Sequence, residues 1–124
     1  MQVYEYSIIR YTPKVEREEF INIGVLVFCK SKRILLSSFH LDKKKIDCFE
    51  SELDFDILKD HVEAFDHIAK GICKKSPIAT LDAAERFRWL TAVKSSCIQA
   101  SRPHPGMSED MENVLTRLFK ELVL

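Results

Sequence analysis

Apolar residues are densest at positions 20–29, where Phe20, Ile21, Ile23, Val25, Leu26, Val27, Phe28 and Cys29 are interrupted only by Asn22 and Gly24. The odd positions Ile21, Ile23, Val25, Val27 and Cys29 make a two-residue period rich in β-branched side chains, which predicts a strand with one stripe facing the helices. Asn22 and Gly24 weaken a strand, so they predict a bulge or a close backbone approach. Residues 3–11 carry apolar and aromatic groups on both faces, as a strand at least partly covered on both sides would. Thr12-Pro13 ends that strand. The polar residues 14–19 read as a solvated connection. Lys30-Ser31-Lys32 is a short loop, so residues 33–39 should pair back as a hairpin.

The period then lengthens. Asp42 is a capping residue for a short helix reaching position 50, with Ile46 and Phe49 inward. Leu58, Val62, Phe65, Ile68, Ala69 and Ile72 recur at helical spacing, predicting a helix over 55–75 with Lys70, Lys74 and Lys75 at its C-terminal end. Ser76-Pro77 stops it. Asp82 and Glu85 have the spacing of a capping box for a helix over 83–93 presenting Ala84, Phe87 and Leu90. Residues 95–101 read as a fourth strand with Cys97 or Ile98 inward, and 102–106 as a rigid turn rich in breakers. Ser108 is the expected cap of the last helix, where Met111, Val114, Leu115, Leu118, Phe119 and Leu122 form the cleanest stripe. The expectation is a single α+β domain over 1–124. It has an antiparallel sheet of roughly three to four strands and about four helices packed mainly on one face.

Composition narrows the class. Hydrophobic content of 46% and charged content of 31% fit a soluble globular chain. Nineteen basic and nineteen acidic residues cancel, which argues against a duplex nucleic-acid footprint and against attraction to a membrane surface. The apolar run at 23–29 is far too short to span a bilayer, and the first residues lack the pattern of a signal peptide. Cys29, Cys48, Cys73 and Cys97 include no C-x-x-C pair, so neither a zinc site nor a redox motif has local support. A reduced, cytoplasmic protein without metal or cofactor is expected.

With glycine only at 24, 71 and 106, no glycine-rich phosphate cradle is available, and the common hydrolase and nucleotide-binding motifs are missing. No catalytic residue is nominated, and an enzyme is the less favoured reading. His61 and His67 stand six apart, on different helix faces, which does not suit a metal pair. Arg10 and Asn22 lie in strands that should pair. With Glu19 and Arg102 they form a polar set suited to an anionic ligand or a partner. The competing reading is structural, with Arg10 held by a carboxylate and Asn22 satisfying the bulge at Gly24. Lys30, Lys32 and Arg33, with Lys43, Lys44 and Lys45, could touch nucleic-acid phosphates. Asp42, Asp47 and Glu50 dilute that cluster, so a solvated charged face is the competing reading.

Tyr6-Ser7-Ile8-Ile9-Arg10-Tyr11-Thr12-Pro13, then Arg17-Glu18-Glu19-Phe20-Ile21-Asn22-Ile23-Gly24-Val25-Leu26-Val27-Phe28, resembles the opening of the bacterial domain of unknown function 3037 family. Ser101-Arg102-Pro103 and Glu109-Asp110 before Leu115, Leu118 and Phe119 resemble its ending. Phe20, Gly24 and Pro103 match its motif as structural features, beside Arg10, Glu19, Asn22 and Arg102. The resemblance implies a small stand-alone bacterial protein with no assigned catalytic residue. It also implies a kinase-like protein partner, because members of such families are often encoded beside a protein resembling the HipA toxin fold. The missing catalytic motifs, the small size and the aromatic-rich first strand make a non-enzymatic protein-interaction module the leading reading. A small ligand binder or enzyme using Arg10, Asn22 and Arg102 comes second, and nucleic-acid contact third. The exposed side of the first strand could also pair two copies as a homodimer.

Overall fold

The computed structural model describes residues 1–51, 53–72, 77–92 and 97–124. Strands β1 (Gln2–Tyr11), β2 (Ile21–Cys29) and β3 (Ile34–Phe39) form the expected antiparallel ribbon. Strands β4 (Ile98–Ala100) and β5 (His104–Ser108) both pair with the other side of β1, β4 near its C-terminal end and β5 near its N-terminal end. The sheet thus has five strands, not three to four. The stretch expected to be only a rigid turn is largely β5. Proline can stand in an edge strand, where the donor it lacks falls outside the ladder.

Two register slips shape the sheet. Ile9 faces Ala100 whereas Tyr6 faces His104, so one extra residue is taken up between β4 and β5. Ser101 holds that break. Its N–H donates to the Ile8 carbonyl at 2.8 Å, and its Oγ accepts from the Ile8 N–H at 2.8 Å. Its carbonyl accepts from Ser7 Oγ, also at 2.8 Å. On the other flank Ile9 faces Gly24 while Arg10 faces Asn22, leaving Ile23 as the inserted residue. The bulge expected near Asn22 and Gly24 is therefore present. It also breaks the expected stripe. Val25, Val27 and Cys29 face one side, whereas Ile23 joins Leu26 and Phe28 on the other, because one inserted residue reverses the alternation.

Both faces carry a core. Helices α1 (Lys43–Asp47), α2 (Phe55–Lys70) and α3 (Ala83–Thr91) lay Ile46, Leu58, Val62, Phe87 and Leu90 against Ile9, Tyr11, Leu26 and Phe28. Helix α4 (Met111–Leu122) covers the opposite face, with Met111, Val114 and Leu118 on Tyr4, Val25, Val27 and Cys29. The fold is α+β, and three of these four helices share a face as expected. The predicted features at Cys73, Lys74, Lys75, Ser76 and at 93–96 lie outside the described residues.

The caps follow the sequence with one change. Asp42 accepts from the N–H groups of Lys44 and Lys45, and Asp82 accepts from that of Glu85. The last helix is capped by Asp110 rather than Ser108. Asp110 Oδ1 accepts from the Asn113 N–H at 3.1 Å, while Ser108 Oγ accepts from the N–H of Asp110 itself. Asp110→Ala should cost about 1 kcal/mol, seen as a lower urea midpoint at unchanged slope. An unchanged midpoint would show that water caps the helix equally well.

Candidate functional site

The layer of α1–α3 stops short of the end of the sheet where β2 turns into β3. Phe87 of α3 stacks on Phe28, with ring centroids 5.0 Å apart and planes at 21°. Beyond that stack, the face of β1 that carries Ile9 and Tyr11 continues through Glu5 to Val3. Phe28 stands opposite Glu5, and Met107 of β5 opposite Val3. Val3 is 58% exposed and Met107 61%. A groove of about 1300 Å³ lies here. Val3, Glu5 and Phe28 line its floor, Lys30 and Arg33 come from the β2–β3 turn, and Asp82 and Arg86 come from the start of α3.

The charges around this groove are unevenly satisfied. Asp82 is engaged in capping α3. Arg86 donates through Nη1 to the Leu81 carbonyl at 2.6 Å, but its Nε is buried without a hydrogen-bond partner. Arg33 holds φ at 54°. Glycine or asparagine would adopt that left-handed conformation with less strain. Among the described residues, Lys30, Arg33 and Arg86 form no ion pair.

The predicted polar set is only partly gathered. Arg10 and Asn22 pair across β1 and β2 and share the face covered by α4. Among the described residues no carboxylate pairs with Arg10. Its guanidinium lies 4.3 Å from the centre of the Phe20 ring, a cation–π contact, and its Nε is buried without a hydrogen-bond partner. Asn22 Nδ2 donates to the Leu122 carbonyl at 3.0 Å, tying the bulge to the end of α4. Its Oδ1 is buried and unpartnered. Glu19 is exposed and paired with Arg17. Arg102 and Pro103 are exposed in the break between β4 and β5, on the opposite flank of β1 from Asn22. Gly24 stands opposite Phe39, and a β-carbon there would come within 3.0 Å of Phe39 Cγ.

The two basic clusters sit at opposite ends of β3. Lys30, Lys32 and Arg33 are at its start, and Lys43, Lys44 and Lys45 open α1 beyond its finish. Six residues of strand hold the two ends about 20 Å apart, at roughly 3.3 Å per residue. Lys32 donates to the Glu109 carbonyl, and Lys43 pairs with Asp47 at 3.0 Å. The six cations do not form one patch. Among the described residues no three His, Cys, Asp or Glu side chains gather as a metal would require, and no helix is long and apolar enough to cross a membrane.

The profile of a family described as "Protein of unknown function (DUF3037)" matches residues 6–123. The chain belongs to the DUF3037 family. No curated protein and no solved structure matches it. In this DUF3037 chain the matched span takes in the whole polar set and all the groove cations, and it begins immediately after Glu5. Sequence reasoning missed Val3, Glu5 and Arg86 as groove residues. The parity of Val3 with Ile9 was a readable signal for the face they share. Where α3 stops relative to the strands is set by tertiary packing and leaves no local pattern.

Proposed function

We propose that this DUF3037 protein is a non-enzymatic interaction module that engages another protein through the groove between the β2–β3 turn and α3. The observation that carries the reading is the bare sheet face at Val3 and Met107 beside Phe28. A face of this kind is the ordinary starting point for a contact surface. At about 1300 Å³ the groove is larger than the roughly 300–1000 Å³ of a typical small-molecule cleft, which favours a polypeptide over a metabolite. A kinase-like protein is the first partner to look for.

The test is cross-linked co-purification from the native host with wild-type and Val3→Asp chains. Val3 is exposed, so Val3→Asp should shift stability by no more than about 0.5 kcal/mol. One protein should be recovered in stoichiometric amount with the wild type and lost with the variant. Equal recovery by both would remove the groove from the contact.

A second reading, a small-ligand site at Arg10 and Asn22, draws on their two unpartnered buried atoms, Nε and Oδ1. Both atoms are closed off from the surface, so a carboxamide or peptide group would reach this donor and acceptor only after the side chains move to expose them. Titration calorimetry with small amides, lost on Arg10→Gln while co-purification persists, would favour this reading over the first.

A further inference from the structure

We infer that the groove's occupant is an extended, acidic segment of a partner protein with at least one large apolar side chain. This rests on the interaction reading above and adds the chemistry of what is bound. Three cations, Lys30, Arg33 and Arg86, surround one groove, and none is ion-paired among the described residues. Elsewhere some cations find carboxylates, as Lys14, Lys43 and Lys70 do, and others such as Lys44, Lys45 and Lys59 do not among the described residues, so what sets the groove apart is that three unpaired cations line one cleft. The chain carries no net charge, so unpaired cations gathered in one place are a local feature and not a general excess.

Two of the three are also in conformations that local structure does not explain. The buried Arg86 Nε lacks an acceptor, and a buried donor without a partner is costly unless something supplies one. Arg33 occupies a left-handed position that a smaller residue would fill with less strain. The Arg86 Nε is itself closed off from an incoming group, so carboxylates of a partner segment would be received by the exposed side chains of Lys30 and Arg33, and a guanidinium is well suited to that pairing.

The floor decides between peptide and nucleic acid. Val3 offers exposed apolar surface for a side-chain anchor, whereas Phe28 is too buried for a base to stack on. Glu5 on the floor and Asp82 on the wall would repel an unbroken run of phosphates. A peptide can place its acids beside the cations and an apolar or basic residue over Glu5.

The test is selection from a display library of random peptides on the full chain, followed by affinity measurement on a synthetic copy of an enriched sequence. Enriched peptides should combine several Asp or Glu residues with a large apolar one. Their affinity should fall as salt rises and drop about tenfold or more in Lys30→Glu/Arg33→Glu. It should hold in Lys44→Glu/Lys45→Glu, whose residues lie at the far end of β3. Circular dichroism confirms that each variant folds. Enriched peptides without an acidic bias that still require Val3 would overturn this inference and leave the interaction reading standing. Enrichment of no peptide, with no partner in the co-purification, would sink both. A single-stranded oligonucleotide that displaces the peptide and binds more tightly would assign the cations to phosphates instead.

Discussion

Gly24→Val should lower the unfolding free energy by about 1–3 kcal/mol, the usual cost of forcing extra methyl groups into packed space. The cause is the Phe39 ring, which lies where a β-carbon at position 24 would project. Backbone conformation is not the reason, because among the described glycines only Gly71 has a positive φ. Phe39 is itself held edge-on to Phe65, with centroids 5.8 Å apart and planes at 78°, so moving the ring sacrifices that contact. Urea unfolding of Gly24→Val, Phe39→Ala and the double variant gives a direct check. If the ring is the obstacle, the double variant is less destabilised than the sum of the singles. Additive effects, or a neutral single variant, would show that the glycine is incidental.

Ser101→Ala should cost a similar amount, about 1–3 kcal/mol, by leaving the Ile8 N–H without its acceptor at the break between β4 and β5. Ser7 Oγ would still donate to the residue 101 carbonyl, so the loss is confined to the two bonds of the Ser101 hydroxyl, the one it accepts from the Ile8 N–H and the one it donates to the Arg102 carbonyl at 3.2 Å. Ser101→Thr keeps the hydroxyl and should retain most of the stability. Hydrogen exchange at the Ile8 amide should accelerate in the alanine variant and not in the threonine one. An alanine variant as stable as the wild type would mean that the hydroxyl does not hold the break.

What could be read in advance divides along physical lines. The β2–β3 hairpin, α2 and α4 were legible because each carries its own period, two for the strands and near 3.6 for the helices. The bulge was legible because Asn22 and Gly24 are poor strand residues in an otherwise apolar run. Strand β5 was not, since Pro103, Pro105 and Gly106 read locally as breakers, and only the place of Pro105 and Gly106 on the sheet's edge makes them acceptable in a strand. The single stripe along β2 failed for a related reason, as alternation holds only while no residue is inserted. For the candidate site, Arg10 and Asn22 could be placed together from strand pairing alone. The groove could not, because strand pairing gathers Val3, Phe28 and Lys30 but Asp82 and Arg86 join them only through the way α3 is seated on the sheet.

The placement of β4 and β5 against β1 also has a consequence in time. Ser7 and Ser101 are 94 positions apart, yet they seal the same seam. During synthesis the opening strand emerges early and waits with one flank bare until most of the chain has left the ribosome. Closure is thus a late and non-local event, of the kind that slows folding, and in the interval a growing chain offers its neighbours an unguarded template.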